Sequence, residues 1–158
     1  MIMTRSLADI SSDLDALSAA DFDPNNTKAR GMERLYSLTD ELISLNPPSG
    51  SAELLLRFIE SSTNFEGIDP RFDLGTPGPL VHTLERFEDY REHLVSSIKR
   101  QPTPLTAWMV SRILNQVEYQ DQREFWLALL RDCKSHPMSS SLTREEVQDF
   151  LGYQSNPE

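Results

Sequence analysis

Four side chains with metal-ligating chemistry recur at helical intervals in one segment: His82, Glu85, Asp89 and His93. At 100° per residue they fall within roughly 60° of one another, so imidazole nitrogens and carboxylate oxygens would share one helical face, as a divalent ion requires. The same helix carries Leu80, Leu84, Phe87, Leu94, Val95 and Ile98 on its opposite side. The stripe therefore reads as the water-facing surface of an amphipathic helix, where these groups need no metal. No HExxH or comparable zinc spacing accompanies it. Neither a metal nor another cofactor is expected.

Nucleophilic chemistry has less support. Cys133 shares an apolar stripe with Trp126, Leu129 and Leu130, which describes a buried, inert thiol. No serine sits in a G-x-S-x-G setting. Gly75-Thr76-Pro77-Gly78-Pro79 is glycine-rich, but its prolines remove the N–H donors a phosphate cradle needs. The Lys-Ser/Thr pair of a nucleotide loop is absent as well. The expectation is a protein without catalytic activity.

Charge gives the broadest clue. The formal net charge of -10 opposes nucleic acid phosphates and anionic membranes and complements a basic protein partner. The candidate contacts are the acidic residues Glu85, Glu88, Asp89 and Glu92, with Asp69 and Asp73 from the preceding Pro/Gly loop. Trp108 and Arg112, one helical turn apart, form a further candidate: residue types that dominate binding hot spots, away from the apolar stripe of Met109, Ile113 and Val117. The same pair could instead fill a second packing surface, or stack as a local cation–π contact.

The elements that must position these residues are helical. Leucine dominates the apolar set and valines are few, a bias toward helix. Leu7, Ile10, Leu14 and Leu17 give a first helix over 4–19, short of apolar bulk, so that residues 1–26 are expected to pack loosely. Asp21 to Asn26 breaks the chain. Leu35, Leu38, Leu42 and Leu45 mark a helix over 27–45, and Leu55, Phe58 and Ile59 one over 51–63. Residues 64–79 read as a structured loop. A helix over 80–100 bends near Glu88-Asp89. Thr103 as N-cap and Pro104 at the first helical position start the next, which runs to about 118. Another covers 121–134. The last opens on a capping box, Thr143 with Glu146, and residues 154–158 are expected to fray.

The 158 residues suit a single all-α domain of seven or eight amphipathic helices, stacked as HEAT-like antiparallel pairs or gathered in a compact bundle. The helix spacing favours the stack, although no internal repeat accompanies it. No apolar run is long enough to span a bilayer, and Met1 to Arg5 lacks the build of a secretory signal. With one cysteine there is no internal disulfide, and the expected location is the cytoplasm.

The run Gly75-Thr76-Pro77-Gly78-Pro79-Leu80-Val81-His82, followed by Pro102-Thr103 and Trp108-Met109-Val110-Ser111-Arg112-Ile113-Leu114-Asn115, resembles a pattern in small bacterial immunity proteins, the antidotes encoded beside polymorphic toxins. The likeness spans residues 75–116. It implies a cytosolic, non-enzymatic protein that binds one toxin domain, here a basic one, and occludes its active site. A helical-repeat adaptor unrelated to toxins is the alternative.

Overall fold

The computed structural model describes residues 5–23, 25–62 and 78–155. Among them the protein is all-α: eight α-helices, one short 3₁₀ turn and no strand. None of these helices is long and apolar enough to cross a membrane. The chain divides into two compact units, Met1–Tyr90 and Arg91–Glu158.

The first unit contains α1 (Leu7–Asp15), the 3₁₀ turn (Ala19–Phe22), α2 (Gly31–Ser44), α3 (Ser51–Ser61) and α4 (Gly78–Leu84). Helix α1 starts on a capping box. The Asp9 N–H donates to Ser6 Oγ at 3.2 Å, and the Ser6 N–H donates back to the Asp9 carboxylate at 2.8 Å. The Ser6 N–H, and then the Ser6 hydroxyl at 3.0 Å, both donate to the Asp9 carboxylate and hold it below its ordinary pKa. Helix α1 packs against α2 and α3, with Ile10 and Leu14 buried.

Leu35 and Leu42 of α2 and Leu55, Leu56 and Ile59 of α3 supply most of this core. Each such side chain contributes roughly 1.5–3 kcal/mol by leaving water. Helix α2 begins at Gly31 rather than at Thr27, and the glycine has a steric reason. A Cβ there would lie 2.6 Å from both the Asp21 carbonyl oxygen and the Phe22 ring, so only glycine lets the 3₁₀ turn press onto the start of α2.

The second unit holds α5 (Tyr90–Arg100, which opens on the last residue of the first unit), α6 (Pro104–Leu114), α7 (Gln120–Ser135) and α8 (Ser141–Ser155). Helices α6, α7 and α8 pack on one another. The expected Thr103 cap and Pro104 start are present. Thr103 Oγ1 accepts from the Thr106 N–H at 3.1 Å, and the Thr103 N–H donates to Thr106 Oγ1 at 3.1 Å. Both hydroxyls are buried and satisfied, which fixes the entry to α6 inside the core.

Three expectations are corrected. The helix expected over 80–100 is two helices, because residues 85–89 form turns: the Arg86 N–H bonds to the Thr83 carbonyl and that of Phe87 to the Leu84 carbonyl, tightening the chain out of α-helix. Helix α8 begins two residues before Thr143. Ser140 Oγ accepts the Thr143 N–H at 3.0 Å, and Thr143 is buried inside the first turn. Gln154 does not fray. It is 4% exposed and lies within α8.

Gln154 joins three helices. Its Nε2 donates to Asn115 Oδ1 at 3.0 Å and to Ser111 Oγ at 3.4 Å. Its side-chain and backbone oxygens accept from the Arg123 guanidinium at 3.2 and 2.8 Å. The α7–α8 turn is held in the same manner. Ser139 Oγ donates to the Cys133 carbonyl at 2.6 Å. His136 Nδ1 accepts the Met138 N–H at 3.0 Å, so its Nε2 carries the proton and donates to the Lys99 carbonyl of α5 at 2.8 Å.

Candidate functional site

Charge is distributed unequally along the chain, and the candidate surface follows from that. Residues 1–90 hold 16 Asp and Glu against 7 Lys and Arg, a net of -9; residues 91–158 hold 9 against 8, a net of -1. Nearly all of the acidity belongs to the first unit.

Some of those carboxylates serve the fold. Asp9 caps α1, and the Ser18 N–H donates to the Asp21 carboxylate at 2.7 Å ahead of the 3₁₀ turn. Arg5 pairs with Asp13 of α1 and, at 2.5 Å, with Glu41 of α2, and its guanidinium pKa is raised chiefly by those hydrogen bonds. Other carboxylates work against the fold. Asp13 and Asp15 lie in the last turn of α1 and Glu41 in that of α2, where no basic residue accompanies them. The carboxyl end of a helix is its negative pole, so an acid there opposes the macrodipole. Arg5 offsets Asp13 and Glu41; Asp15 is exposed.

The sequence-derived acidic residues occupy the end of the first unit and the start of α5. Glu85, half-buried, begins the turn after α4; Glu88 and Asp89 are exposed in that turn. Asp89 immediately precedes α5, the position at which an aspartate favours a helix start, and Glu92 is exposed in the first turn, where its charge complements the dipole. The turn at 85–89 interrupts the single helical face on which His82, Glu85, Asp89 and His93 were aligned. No group of three or more His, Cys, Asp or Glu suited to a metal occurs among the described residues. Asp69 and Asp73 lie outside the described residues.

Trp108 and Arg112 occupy the open stripe of α6, both half-buried, while Leu105, Thr106, Ala107, Met109, Val110, Ser111, Ile113 and Leu114 are buried around the rest of the helix. The Arg112 guanidinium carbon stands 5.7 Å from the centre of the Trp108 ring, within cation–π range. Asn115 caps the end of α6 and accepts from Gln154, which gives it a structural task.

Known protein families, curated proteins and solved structures give no match to this chain. The residues themselves therefore carry the functional argument.

Cys133 is buried, and desolvation pushes its thiol up to about 11, with the neighbouring Asp132 charge adding to the effect. A thiol so placed holds its proton at neutral pH and is a poor nucleophile.

Sequence reasoning missed one surface. A groove of about 770 Å³ runs along α7 and α8, with Leu127, Leu151 and Gly152 on its floor and Arg131, Lys134 and Gln148 beside them. No carboxylate lines it. Gly152 is the signal that was available in the sequence. A mid-helix glycine costs about 1 kcal/mol relative to alanine, yet nothing lies within 4 Å of the position its Cβ would take. Neither close packing nor a left-handed backbone demands it there.

Proposed function

We propose that the chain is a non-catalytic antidote that binds a basic toxin domain and occludes it, with the acidic first unit supplying the attraction. The observation that carries this reading is the placement of charge. A net of -9 in residues 1–90 includes exposed carboxylates at Asp15, Asp40 and Glu88, and Asp15 stands at the helix pole that disfavours it. Acid that folding does not reward is acid retained for a surface task, and a basic protein is its electrostatic complement. The likeness of residues 75–116 to immunity proteins supports the same reading, as does the half-buried Trp108–Arg112 stripe of α6, which offers an aromatic anchor. The cytoplasm, where a toxin delivered into the cell would act, is the location this reading requires.

Calorimetric titration with the toxin-like carboxy-terminal domain encoded beside this gene tests it. One-to-one binding is expected, weakening as salt rises because surface charges are screened over about 10 Å at 0.1 M. Absence of binding to a folded partner domain would remove the antidote reading. Binding indifferent to salt would keep the partner and discard the electrostatic mechanism.

A further inference from the structure

We propose that the α7–α8 groove of one copy of this chain receives the exposed face of α2 from a second copy. The groove is built as a receptor for an acidic helix. Leu127 and Leu151 give it an apolar floor, Arg131 and Lys134 stand along it one helical turn apart, and Gly152 leaves open the space a side chain would fill. Neither cation is ion-paired among the described residues. A groove of this form takes an amphipathic helix whose anchors recur every three or four residues.

The chain itself supplies such a helix. On α2, Glu33, Tyr36 and Asp40 fall at i, i+3 and i+7, hence on one face, and all three are exposed. Tyr36 is 51% exposed, an aromatic side chain with no core to fill, flanked one turn away on either side by a carboxylate. Glu33 is tied only by a 3.7 Å pair with the exposed Arg30. The tyrosine ring enters over Gly152 between the two leucines, and the carboxylates meet Arg131 and Lys134. Both units are net negative, at -9 and -1, so the attraction is local to these pairs and acts against a general repulsion between copies. The contact is heterologous: each copy offers both the face and the groove, so association either closes into a ring or continues into longer assemblies. The inference is independent of the toxin reading.

Sedimentation velocity of the full chain, at about 20 mM and about 300 mM salt, reads the effect on either side of the screening range. Concentration-dependent association is expected in at least one of the two conditions, since salt screens the general repulsion between copies as well as the local pairs. The double variant Arg131→Glu/Lys134→Glu and the double variant Glu33→Arg/Asp40→Arg should each stay monomeric alone and associate when mixed, because the exchanged charges again match. Gly152→Gln keeps every charge but fills the groove, and should also stay monomeric; circular dichroism verifies that each variant is folded. A wild-type chain that remains monomeric at both salt concentrations overturns the proposal. So does association that persists in Arg131→Glu/Lys134→Glu, which would place it on another surface, and so does failure of the folded pair to associate on mixing.

Discussion

Residues 1–90 and residues 91–158 are both built from short amphipathic helices, but their buried polar groups bond differently. The buried hydroxyls of Thr39, Ser62 and Thr83 in the first bond only to the preceding turn of the chain, while buried polar groups of the second reach between helices. In the second unit polar side chains turn inward: Gln154 binds Ser111, Asn115 and Arg123, Ser139 binds the Cys133 carbonyl, and His136 reaches the Lys99 carbonyl. Its charges nearly cancel. In the first unit the ion pairs are exposed or half-exposed, the acids outnumber the bases by nine, and several carboxylates occupy helix ends that disfavour them. The contrast separates polar groups that determine a fold from polar groups that remain available to a partner. Buried hydrogen bonds fix helix register because an unmet one is costly, whereas surface pairs contribute little and tolerate change.

The comparison can be sharpened first at Cys133. With its thiol held at about 11 against an ordinary 9.0, the native chain at pH 8 carries about a hundredfold less thiolate than the unfolded chain. Alkylation followed by mass spectrometry should show at least that retardation, and native labelling as fast as in denaturant would break the account of a closed interior. The same shift sets a direction for stability. The folded thiol keeps its proton where the unfolded one loses it, so stability falls as pH rises from 9.0 toward about 11.

Gln154→Ala comes next. It removes the side-chain bonds to Ser111, Asn115 and Arg123 while keeping the Arg123 bond to the backbone carbonyl of residue 154, at a cost of about 2 kcal/mol in chemical denaturation. A neutral substitution would mean that α8 is not held by this network. In the first unit the sharpest local constraint is steric rather than polar. Gly31→Ala sets a methyl 2.6 Å from the Asp21 carbonyl oxygen and the Phe22 ring, and should lower stability by about 1–2 kcal/mol, measured by thermal unfolding.

What was legible in the sequence divides along similar lines. Helix α3 and the Thr103-Pro104 entry to α6 were readable because leucine periodicity and cap chemistry act within a few residues. The start of α8 was misplaced because Ser139, Ser140 and Ser141 offer several hydroxyls ahead of Thr143, and local pattern cannot choose among them. The structure does, since Ser139 is committed to Cys133 and Ser140 caps. The Gln154 contacts lie 31 to 43 residues away in sequence, beyond any local reading. The break after α4 contains neither Pro nor Gly, so composition could mark only a bend at Glu88-Asp89. Of the candidate contacts, net charge pointed to an acidic surface but not to the concentration of net acidity in residues 1–90, and the α7–α8 groove was visible only as an unexplained glycine.

The central claim is that the acidity of the first unit, and not that of the second, attracts the partner. Calorimetric titration of two variants with the toxin-like domain that the proposed function calls for tests it directly. Asp15→Lys/Glu88→Lys reverses exposed charges in the first unit, and the lysine at position 15 complements the helix pole the aspartate opposes. Glu145→Lys/Asp149→Lys makes the same change in charge on exposed sites of α8. The account predicts that the first variant stays folded and loses about tenfold or more in affinity, about 1.4 kcal/mol, while the second changes it by no more than about twofold. Equal losses, or a loss confined to the second variant, would contradict it.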